Sequence, residues 1–429
     1  MSMWTRRHFF QGAAMALAAT RVAGANDRIR IGVIGIGGRG RDHVQSFLQI
    51  PSAQITGLCD VNQAARERAQ SILAKAGAPK AEEFTDMRKM LDSKEVDAVS
   101  IATPNHWHAL ATIWACRAGK DVYCEKPASH NIHEAWKMIE VARETKRMVQ
   151  IGSQSRSTPH KIRAIQELQN GIIGPLYMAK GLCFKRRRSI GKTPPEPVPP
   201  GLDWDLFLGP APMRPYTKNR FAYNWHWFWD TGNGDIGNQG IHEMDLCRWA
   251  LGDIGLPQTA VSTGGKFVYD DDQETPNTQY ASFSYGAKQI TFEVRGLLTG
   301  PEGGQPVGTY PVGNLYFGSD GWMWLDEQGY QVYKGEKNEL AAAVKAERGK
   351  STTVLHMENF LNACRTRNHK DLTADIEIGA TSVILVHMAN VSYRVGRLLH
   401  WDERAKNFGA DAEANNLISR DYRAPYIVS

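Results

Sequence analysis

Short apolar runs alternate with longer amphipathic stretches over residues 26–152 of the chain. The runs Ile29–Ile34 and Ala53–Leu58 contain β-branched residues and have the length of buried strands. The stretches Gln63–Ala76 and Phe84–Leu91 have the spacing of apolar residues that is typical of helices. Strands that alternate with helices indicate βαβ units, so this region is predicted to form a doubly wound parallel sheet of the α/β class.

The pattern changes after Gly152. Two runs, Gln279–Tyr285 and Gln289–Arg295, alternate as half-buried strands do, and the three residues between them favour a hairpin. Helical stretches are fewer here, and residues 401–429 are expected to form an extended tail. We therefore expect residues 153–429 to form an α+β domain with a mostly antiparallel sheet, whose last helices pack back on the first domain.

The composition is that of an ordinary globular protein, since 42% of the 429 residues are apolar and 22% are charged. The formal net charge is +6, and Arg6, Arg7 and Arg21 supply three of these charges. A nucleic-acid partner is therefore not expected. No apolar run after residue 25 has the length of a membrane span, and the six cysteines include no Cys-x-x-Cys pair. Neither a membrane domain nor a metal site is expected.

The first 25 residues have the three regions of an export signal. The pair Arg6-Arg7 precedes a weakly apolar stretch, Gly12–Ala19, and the small residues Ala23–Ala25 fit a cleavage site. Paired arginines in this position are typical of the twin-arginine pathway. We expect residues 1–25 to be removed and the mature protein to be periplasmic. Because this pathway carries folded proteins, a tightly bound cofactor would be exported with the chain.

A Gly-x-Gly-x-x-Gly sequence stands between the first predicted strand and the helix that follows it. Its members are Gly35, Ile36, Gly37, Gly38, Arg39 and Gly40. Glycines in this pattern allow a tight turn, close approach of the backbone to a pyrophosphate, and close packing of the helix on the strand. The motif therefore predicts a dinucleotide-binding site at the N-terminus of that helix.

Asp60 follows the last glycine of this motif by 20 residues, at the end of the second predicted strand. A carboxylate at this distance is expected to bind the ribose 2′-hydroxyl and to repel a 2′-phosphate, which favours NAD over NADP. Arg39 and Arg41 are cations that can accept a phosphate, so NADP stays an alternative. For Asp60 the alternative is a turn or a helix cap.

Two further segments follow predicted strands and are expected to line a ligand crevice, which in open α/β sheets forms at the carboxyl ends of strands. They supply the candidate cofactor contacts Thr103, Pro104, Asn105, His108, Glu125 and Lys126. For His108 the alternative is a packing role at the start of a helix. Lys126, which precedes a proline, is expected to face the nicotinamide and the substrate, and its alternative is a surface ion pair with Glu125.

The segment Phe221–Leu251 is the richest in chemical groups. Its aromatic run and the glycine-rich stretch after it supply the candidate substrate contacts Trp225, His226, Trp227, Asp235, Asn238 and His242. Aromatic faces beside polar groups suit sugar rings, whose C–H faces stack while their hydroxyls seek donors and acceptors. The segment therefore favours a small carbohydrate substrate. The alternative is an aromatic core cluster followed by a helix cap.

Taken together, these motifs resemble the Gfo/Idh/MocA oxidoreductases, the relatives of glucose–fructose oxidoreductase and inositol dehydrogenase. The resemblance rests on the glycine turn, Asp60, residues 103–105, the Glu-Lys-Pro sequence at residues 125–127, and the segment that ends in His242 and Asp245. It implies an N-terminal Rossmann domain and a C-terminal domain with an open, mainly antiparallel sheet. It also implies an active site between the two domains, homo-oligomers formed through the sheet, and an exported subgroup of the family.

The same resemblance implies catalytic roles for Lys126 and His242, which stand at matching positions. The family's aspartate, four residues before the histidine, is Asn238 here, and an amide can orient a hydroxyl but cannot take up its proton. We expect an NAD(P)-dependent oxidoreductase acting on a sugar or sugar derivative. His242 would be the general base, alone or together with Lys126; Lys126 would stabilise the substrate oxygen, and Asn238 would hold a hydroxyl.

Export would separate the protein from the cytoplasmic pool of NAD, so the cofactor is expected to be retained and recycled. Two redox-neutral reactions meet this requirement. One passes hydride from one sugar to another, and the other oxidises a sugar transiently while a glycosidic bond is cleaved. An ordinary sugar dehydrogenase with exchangeable cofactor and a non-catalytic, cofactor-loaded binding protein are the alternatives.

Overall fold

The computed structural model describes residues 28–297, 299, 312–347 and 349–429. The predicted export signal at residues 1–25 lies outside the described residues.

The first domain is built on a parallel sheet with six described strands. They are β1 Ile29–Ile34, β2 Ala53–Cys59, β3 Glu82–Phe84, β4 Ala98–Ile101, β5 Asp121–Cys124 and β6 Val149–Ile151. Their spatial order is β3-β2-β1-β4-β5-β6, and β1 pairs in parallel with both β2 and β4. The predicted doubly wound sheet is confirmed. Because the chain turns back between β1 and β4, a crevice opens at the carboxyl ends of these two strands.

The helices of this domain connect successive strands. They are α1 Arg39–Phe47, α2 Gln63–Lys75, α3 Met87–Leu91, α4 Asn105–Arg117 and α5 Ile132–Glu144. The helix predicted over Phe84–Leu91 is wrong in its first half. Phe84 belongs to a strand that pairs with β2, and Asp86 then accepts a hydrogen bond from the main-chain N–H of Arg88, which caps α3.

The second domain contains a sheet of nine described strands. They are β7 Leu176–Cys183, β8 Thr259–Gly265, β9 Thr278–Ser284, β10 Gln289–Arg295, β11 Val312–Gly318, β12 Gly321–Leu325, β13 Gly329–Lys334, β14 Glu339–Lys345 and β15 Leu399–His400. Their order is β14-β13-β12-β11-β7-β10-β9-β8-β15. Only β7 and β10 are parallel neighbours within this sheet, so the predicted antiparallel character is confirmed. The predicted hairpin is β9–β10, in which Ser284 pairs with Gln289.

Helices of the second half cover this sheet and reach the first domain. They are α6 Pro159–Gln169, α7 Trp204–Leu208, α8 Ile241–Ala250, α9 Thr352–Thr366, α10 Ile376–Val395 and α11 Ala412–Asn415. Helix α8 packs on β7, β10 and β11, and its Met244 shares a buried core with Phe292. Helix α10 contacts both α5 and β8, and α9 contacts α1. These contacts hold the two domains around the crevice.

The segment 401–429, expected to be an extended tail, is irregular but packed. Tyr426 is buried and meets Trp107 of α4 edge-to-face, with ring centroids 5.4 Å apart. The guanidinium of Arg423 donates to the main-chain oxygen of Gly209 at 2.9 Å. The segment therefore covers α4 of the first domain. The apolar surface of Trp107 explains this docking, since it would otherwise be exposed to water.

All six cysteines are free thiols, and Cys364 alone among them is only half-buried. Among the described helices, none combines the length and the apolar character that a bilayer crossing requires.

Candidate active site

A cleft of about 560 Å³ lies at the carboxyl ends of β1, β2, β4 and β5, and residues of the second domain form its opposite wall. The predicted site residues that line it are Gly35, Gly37, Gly38, Arg39, Asp60, Thr103, Pro104, Asn105, His108, Glu125, Lys126, Trp225, His226 and Asn238. The predicted residues Ile36, Gly40, Trp227, Asp235 and His242 lie beside the cleft rather than in its wall. The structure thus brings most of the candidate cofactor and substrate contacts to one place.

The glycine turn is open on the side that faces the cleft. Gly35 has a φ of +79°, and a Cβ there would lie 2.8 Å from the main-chain carbon of Ala102. A Cβ on Gly40 would lie 1.7 Å from the carbonyl oxygen of Gly35, so α1 approaches β1 this closely only with glycine. Added Cβ atoms on Gly37 and Gly38 would meet nothing within 4 Å. This free space beside the start of α1 fits a dinucleotide pyrophosphate.

Asp60 holds the glycine turn against the end of β2. Its carboxylate accepts hydrogen bonds from the main-chain N–H of Ile36 at 2.6 Å and of Asn62 at 2.8 Å. Burial raises the pKa of this carboxyl, and the two N–H donors oppose that effect. The cap of α2 is Asn62, which accepts from Ala64. Because each carboxylate oxygen of Asp60 keeps a free lone pair, both can still accept ribose hydroxyls.

Glu125 is the centre of a buried polar cluster rather than part of a surface ion pair. Its Oε1 accepts from Arg39 Nε at 2.8 Å and from Gln154 Nε2 at 2.8 Å, and it lies 2.9 Å from His43 Nε2. Burial alone would raise the pKa of this carboxyl, but the Arg39 charge and the His43 hydrogen bond hold it well below its ordinary value. The cluster fixes Arg39 at the start of α1.

His43 and Gln154 were not identified from the sequence, although His43 lies one helical turn after Arg39 on α1.

Lys126 crosses from the first domain to the second. Its Nζ donates a hydrogen bond to the main-chain oxygen of Asn238 at 2.6 Å. Burial lowers the pKa of the ammonium, and the Glu125 carboxylate partly offsets this. An ammonium has three N–H donors, so Lys126 keeps two for a ligand in the cleft.

His242 follows Asn238 by four residues, in the first turn of α8. Its imidazole is half-buried, and within the described part of the chain it makes no hydrogen bond. Burial and the nearby charge of Lys126 hold the pKa of His242 well below its ordinary value. The ring is therefore neutral at pH 7, and one of its nitrogens is available to accept a proton.

Asn238 lies in a π-helical turn, Ile236–Gly240, that leads into α8. Such turns are frequent at functional sites because they change the direction of a side chain. The amide nitrogen of Asn238 donates to Tyr223 Oη at 2.9 Å and to Asp235 Oδ1 at 3.3 Å. Asp235 is itself paired with the Arg187 guanidinium at 2.7 Å. The side-chain oxygen of Asn238 is thus left to accept from a substrate hydroxyl.

The glycines around Asn238 serve packing. A Cβ on Gly237 would lie 2.5 Å from Asn233 Cβ, and a Cβ on Gly240 would lie 2.5 Å from Phe292 Cζ. A side chain at either position would therefore displace Asn233 or Phe292. Asp245, on α8, forms a buried ion pair with Arg156 instead of facing the cleft.

The aromatic run divides between the cleft and the core. Trp225 lines the cleft and stacks on His226, with ring centroids 3.6 Å apart. Trp227 is 3% exposed and lies beneath the guanidinium of Arg187, so the expected stacking role of Trp227 is not supported by its position. Trp229 lines a different cavity. Tyr223, which the sequence did not single out, is in the wall of the cleft.

His108 lies in the wall of the cleft, but its two nitrogens are 2.7 and 2.8 Å from the carbonyl oxygens of Pro127 and Thr103. The neutral ring has one N–H and can donate to only one of these oxygens, and neither nitrogen faces the cofactor site. Thr103 Oγ1 is buried and has no hydrogen-bond partner among the described residues. This hydroxyl fits a bound cofactor, because a buried polar atom without a partner costs stability. The described residues hold no cluster of His, Cys, Asp and Glu that fits a metal ion.

Two family models match the chain. Residues 29–153 match the NAD-binding Rossmann domain of an oxidoreductase family, and residues 175–272 and 322–428 match the C-terminal alpha/beta domain of that family. The chain belongs to the Gfo/Idh/MocA oxidoreductase family. Its first domain is the NAD-binding Rossmann domain of this family, and the open glycine turn, Asp60 and the unpaired Thr103 hydroxyl fit that cofactor.

Known proteins are similar to this chain over different shares of its length. A glycosyl hydrolase family 109 protein of Saccharopolyspora erythraea is 28% identical over 49% of this chain and 42% of its own length. The chain spans about two fifths of the length of the curated relatives that it matches. The WlbA dehydrogenase of Bordetella pertussis, solved with NADH and UDP-GlcNAcA, is 20% identical over 87% of this chain and 99% of its own, with a TM-score of 0.64. A levoglucosan dehydrogenase, solved with NADH and levoglucosan, is 16% identical over the same shares, with a TM-score of 0.67.

Proposed function

We propose that this protein is an NAD-dependent enzyme that oxidises a sugar hydroxyl transiently while it cleaves a glycosidic bond. The observation that carries this proposal is Lys126, which lines the cleft and donates to the main-chain oxygen of Asn238, with His242 close enough for the Lys126 charge to lower the pKa of its imidazole. The likeness to glycosyl hydrolase family 109 proteins supports glycoside cleavage. The sugars bound in the similar structures support a carbohydrate substrate.

Each of the three residues has one chemical task. NAD, when bound, supplies the hydride acceptor for the oxidation and the donor for the final reduction. His242, neutral at pH 7, accepts the proton of the substrate hydroxyl. Lys126 directs its two remaining N–H donors at the substrate oxygen as that oxygen becomes a carbonyl. Asn238 accepts a hydrogen bond from a neighbouring hydroxyl through its side-chain oxygen.

The oxidised sugar makes cleavage possible because a carbonyl acidifies the adjacent C–H bond. Loss of that proton lets the glycosidic substituent depart as an alcohol, and water then adds to the carbon that carried it. Return of the hydride restores the hydroxyl. In sum, one water is consumed, one glycosidic bond is broken, and the oxidation state of the cofactor is unchanged.

We also propose that the protein works in the periplasm after twin-arginine export and forms homo-oligomers. The Arg6-Arg7 pair and the segments after it support export. A redox-neutral reaction suits this compartment, since a retained cofactor needs no external supply. Oligomers through the open second sheet are supported by family resemblance alone.

The test uses purified protein without added NAD. Nucleotide released on denaturation is identified by mass spectrometry, and a panel of nitrophenyl glycosides is then assayed in D₂O. We expect stoichiometric NAD, bond cleavage, and deuterium on the carbon next to the transient carbonyl. Cleavage without deuterium would contradict transient oxidation.

Other outcomes of these assays would indicate one of the alternative functions. Formation of an aldonate and an alditol from paired aldoses would indicate sugar-to-sugar transfer. Oxidation that requires stoichiometric added NAD would indicate an ordinary dehydrogenase. A protein that holds NAD but converts none of the glycosides or sugars would be a binding protein.

A further inference from the structure

A second cavity, of about 590 Å³, lies apart from the cleft. It is formed by the segment before α5, by residues 229–233, by the C-terminal half of α10, and by residues 415–421. No described residue lines both cavities. Its volume is in the range of small-molecule sites. None of its residues takes part in the proposed reaction.

Two buried nitrogen atoms in the wall of this second cavity have no hydrogen-bond partner among the described residues. They are Nη2 of Arg420 and Nε2 of His130. Buried polar atoms in native proteins nearly always form a hydrogen bond, so each of these atoms is expected to have a hydrogen-bond partner. Both residues are in the wall of the cavity, and their side chains contact each other.

The hydrogen bond between these residues shows that both unpaired atoms are donors. Nη1 of Arg420 lies 3.1 Å from Nδ1 of His130 and donates to the main-chain oxygen of Asp230 at 2.9 Å. A guanidinium can only donate, so Nδ1 of His130 is the acceptor and the ring proton of the neutral imidazole is on Nε2. The missing partner must therefore supply acceptor oxygens.

Nearby carboxylates do not fill this role. Glu134 accepts from the main-chain N–H of His130 at 2.8 Å, and also from Asn131 and Tyr422. Asp230 is paired with Arg214 at 2.8 Å, and Asp421, which also lines the cavity, is exposed to solvent. Arg420 consequently forms no ion pair within the described part of the chain. A buried cation without an ion-pair partner favours an anionic ligand.

The remaining wall adds a second cation and an aromatic face. Arg394 of α10 lies over the ring of Trp229 at 5.5 Å and forms no ion pair with a described residue. Trp229 is half-buried and lines the cavity. An aromatic face suits the C–H face of a sugar ring, and the cavity is much larger than a bare oxyanion. Asn390 and Ser419 provide further polar groups in the wall.

We propose that this second cavity binds a small sugar that carries a carboxylate or a phosphate. The oxyanion accepts from Arg420 Nη2 and His130 Nε2, Arg394 closes over it from the rim, and the sugar ring packs on Trp229. The site is separate from the catalytic cleft, and it stands or falls independently of the proposed reaction.

Isothermal titration calorimetry tests this site. The probes are glucuronate, glucose 6-phosphate, inorganic phosphate and neutral glucose, each titrated into the Lys126→Ala variant so that turnover in the cleft does not contribute. We expect saturable binding of at least one anionic sugar, at least tenfold tighter than glucose. If glucuronate alone binds, the ligand is a sugar acid; if glucose 6-phosphate alone binds, it is a sugar phosphate. Binding of inorganic phosphate as tight as that of the anionic sugars would overturn the sugar part of the proposal.

Variants locate the binding. Arg420→Gln and Arg394→Gln in the same background should each weaken binding at least tenfold, while Arg163→Gln, at an exposed ion pair on α6, should leave it unchanged. Arg394 is exposed, so its variant keeps the test valid if Arg420→Gln does not fold. Absence of saturable binding by both anionic sugars, or undiminished binding in Arg394→Gln, would overturn the proposal.

Discussion

The ammonium nitrogen of Lys126 lies 2.6 Å from the main-chain carbonyl oxygen of Asn238, so a side chain of the NAD-binding domain is held by the backbone of the second domain. This contact fixes the ammonium at the junction where both cofactor and substrate are expected. It also explains why the π-helical turn before α8 matters, since that turn presents the carbonyl to Lys126.

Lys126→Ala should lower kcat by about 10²–10³, the typical effect of removing one donor that stabilises a developing oxygen charge. The NAD content after purification should stay near that of the wild type, because the glycine turn and Asp60 are untouched. Steady-state cleavage of the best glycoside and mass spectrometry of bound nucleotide measure both quantities. Lys89→Ala, at an exposed lysine, is the matched control. An unchanged kcat would remove Lys126 from the mechanism.

His242→Asn should lower kcat by about 10²–10⁴, the usual contribution of a general base. Burial and the Lys126 charge lower the pKa of His242, so the wild-type imidazole stays neutral below its ordinary pKa of about 6.5. Wild-type activity should therefore persist as the pH falls to 6 and decline only at lower pH. The His242→Asn variant should not show this decline at low pH. A pH profile of kcat from 4.5 to 8 measures it, and a wild-type decline centred near 6.5 would contradict the assignment.

Asn238→Asp tests whether the amide is needed in place of a carboxylate. The change removes the hydrogen bond that Asn238 donates to Tyr223 and puts a carboxyl beside Asp235. We expect the free energy of unfolding to fall by about 1–3 kcal/mol at pH 7.5, through an unsatisfied group and like-charge repulsion. The loss should be smaller at pH 4, because an aspartate titrates near 3.9 and protonation of the introduced carboxyl begins to relieve the repulsion there. Denaturant unfolding at both pH values measures this, with Asn170→Asp, at an exposed site, as control.

His387 on α10 should make the fold sensitive to acid. The side chain is 4% exposed, and burial lowers its pKa to about 3, whereas an unfolded histidine titrates near 6.5. Below pH 6.5 the unfolded chain binds a proton that the native protein does not bind, so native stability falls as the pH falls. Between pH 7.5 and pH 5 this loss is about 2 kcal/mol.

His387→Gln should therefore lose that part of the pH dependence. Denaturant unfolding at pH 7.5 and pH 5 gives the free energies of both proteins. His400→Gln, at an exposed histidine, should keep the wild-type dependence. If His387→Gln and the wild type lose equal stability between the two pH values, His387 is not the source.

Features encoded by local spacing could be predicted from the sequence. The glycine turn and Asp60 depend on a strand, a tight turn and a helix that follow one another directly, so their positions were correct within the first domain. Sequence periodicity also identified the β9–β10 hairpin. The edge strand at Glu82–Phe84 was missed because its pairing with β2, and not its own pattern, decides its conformation.

Features that depend on distant residues could not be predicted. The Arg187–Asp235 ion pair joins the segment after β7 to the site across 48 positions, and the sequence of neither segment indicates this pairing. The aromatic run correctly indicated the region of the site but not which side chains line it. A short 3₁₀ turn places Trp225 in the cleft wall and Trp227 in the core. The three hydrogen-bond partners of Glu125 Oε1 all come from other parts of the sequence; they are Arg39, His43 and Gln154.

The pairing of Arg39 with Glu125 has a consequence for ionic strength. The guanidinium at the start of α1 is already matched by a buried carboxylate, so the pyrophosphate of NAD is expected to rest on main-chain N–H groups and the helix dipole instead of on the charge of Arg39. Salt screens exposed charge pairs far more strongly than such sheltered dipoles. Retention of the dinucleotide should therefore be nearly the same in dilute buffer and in half-molar potassium chloride.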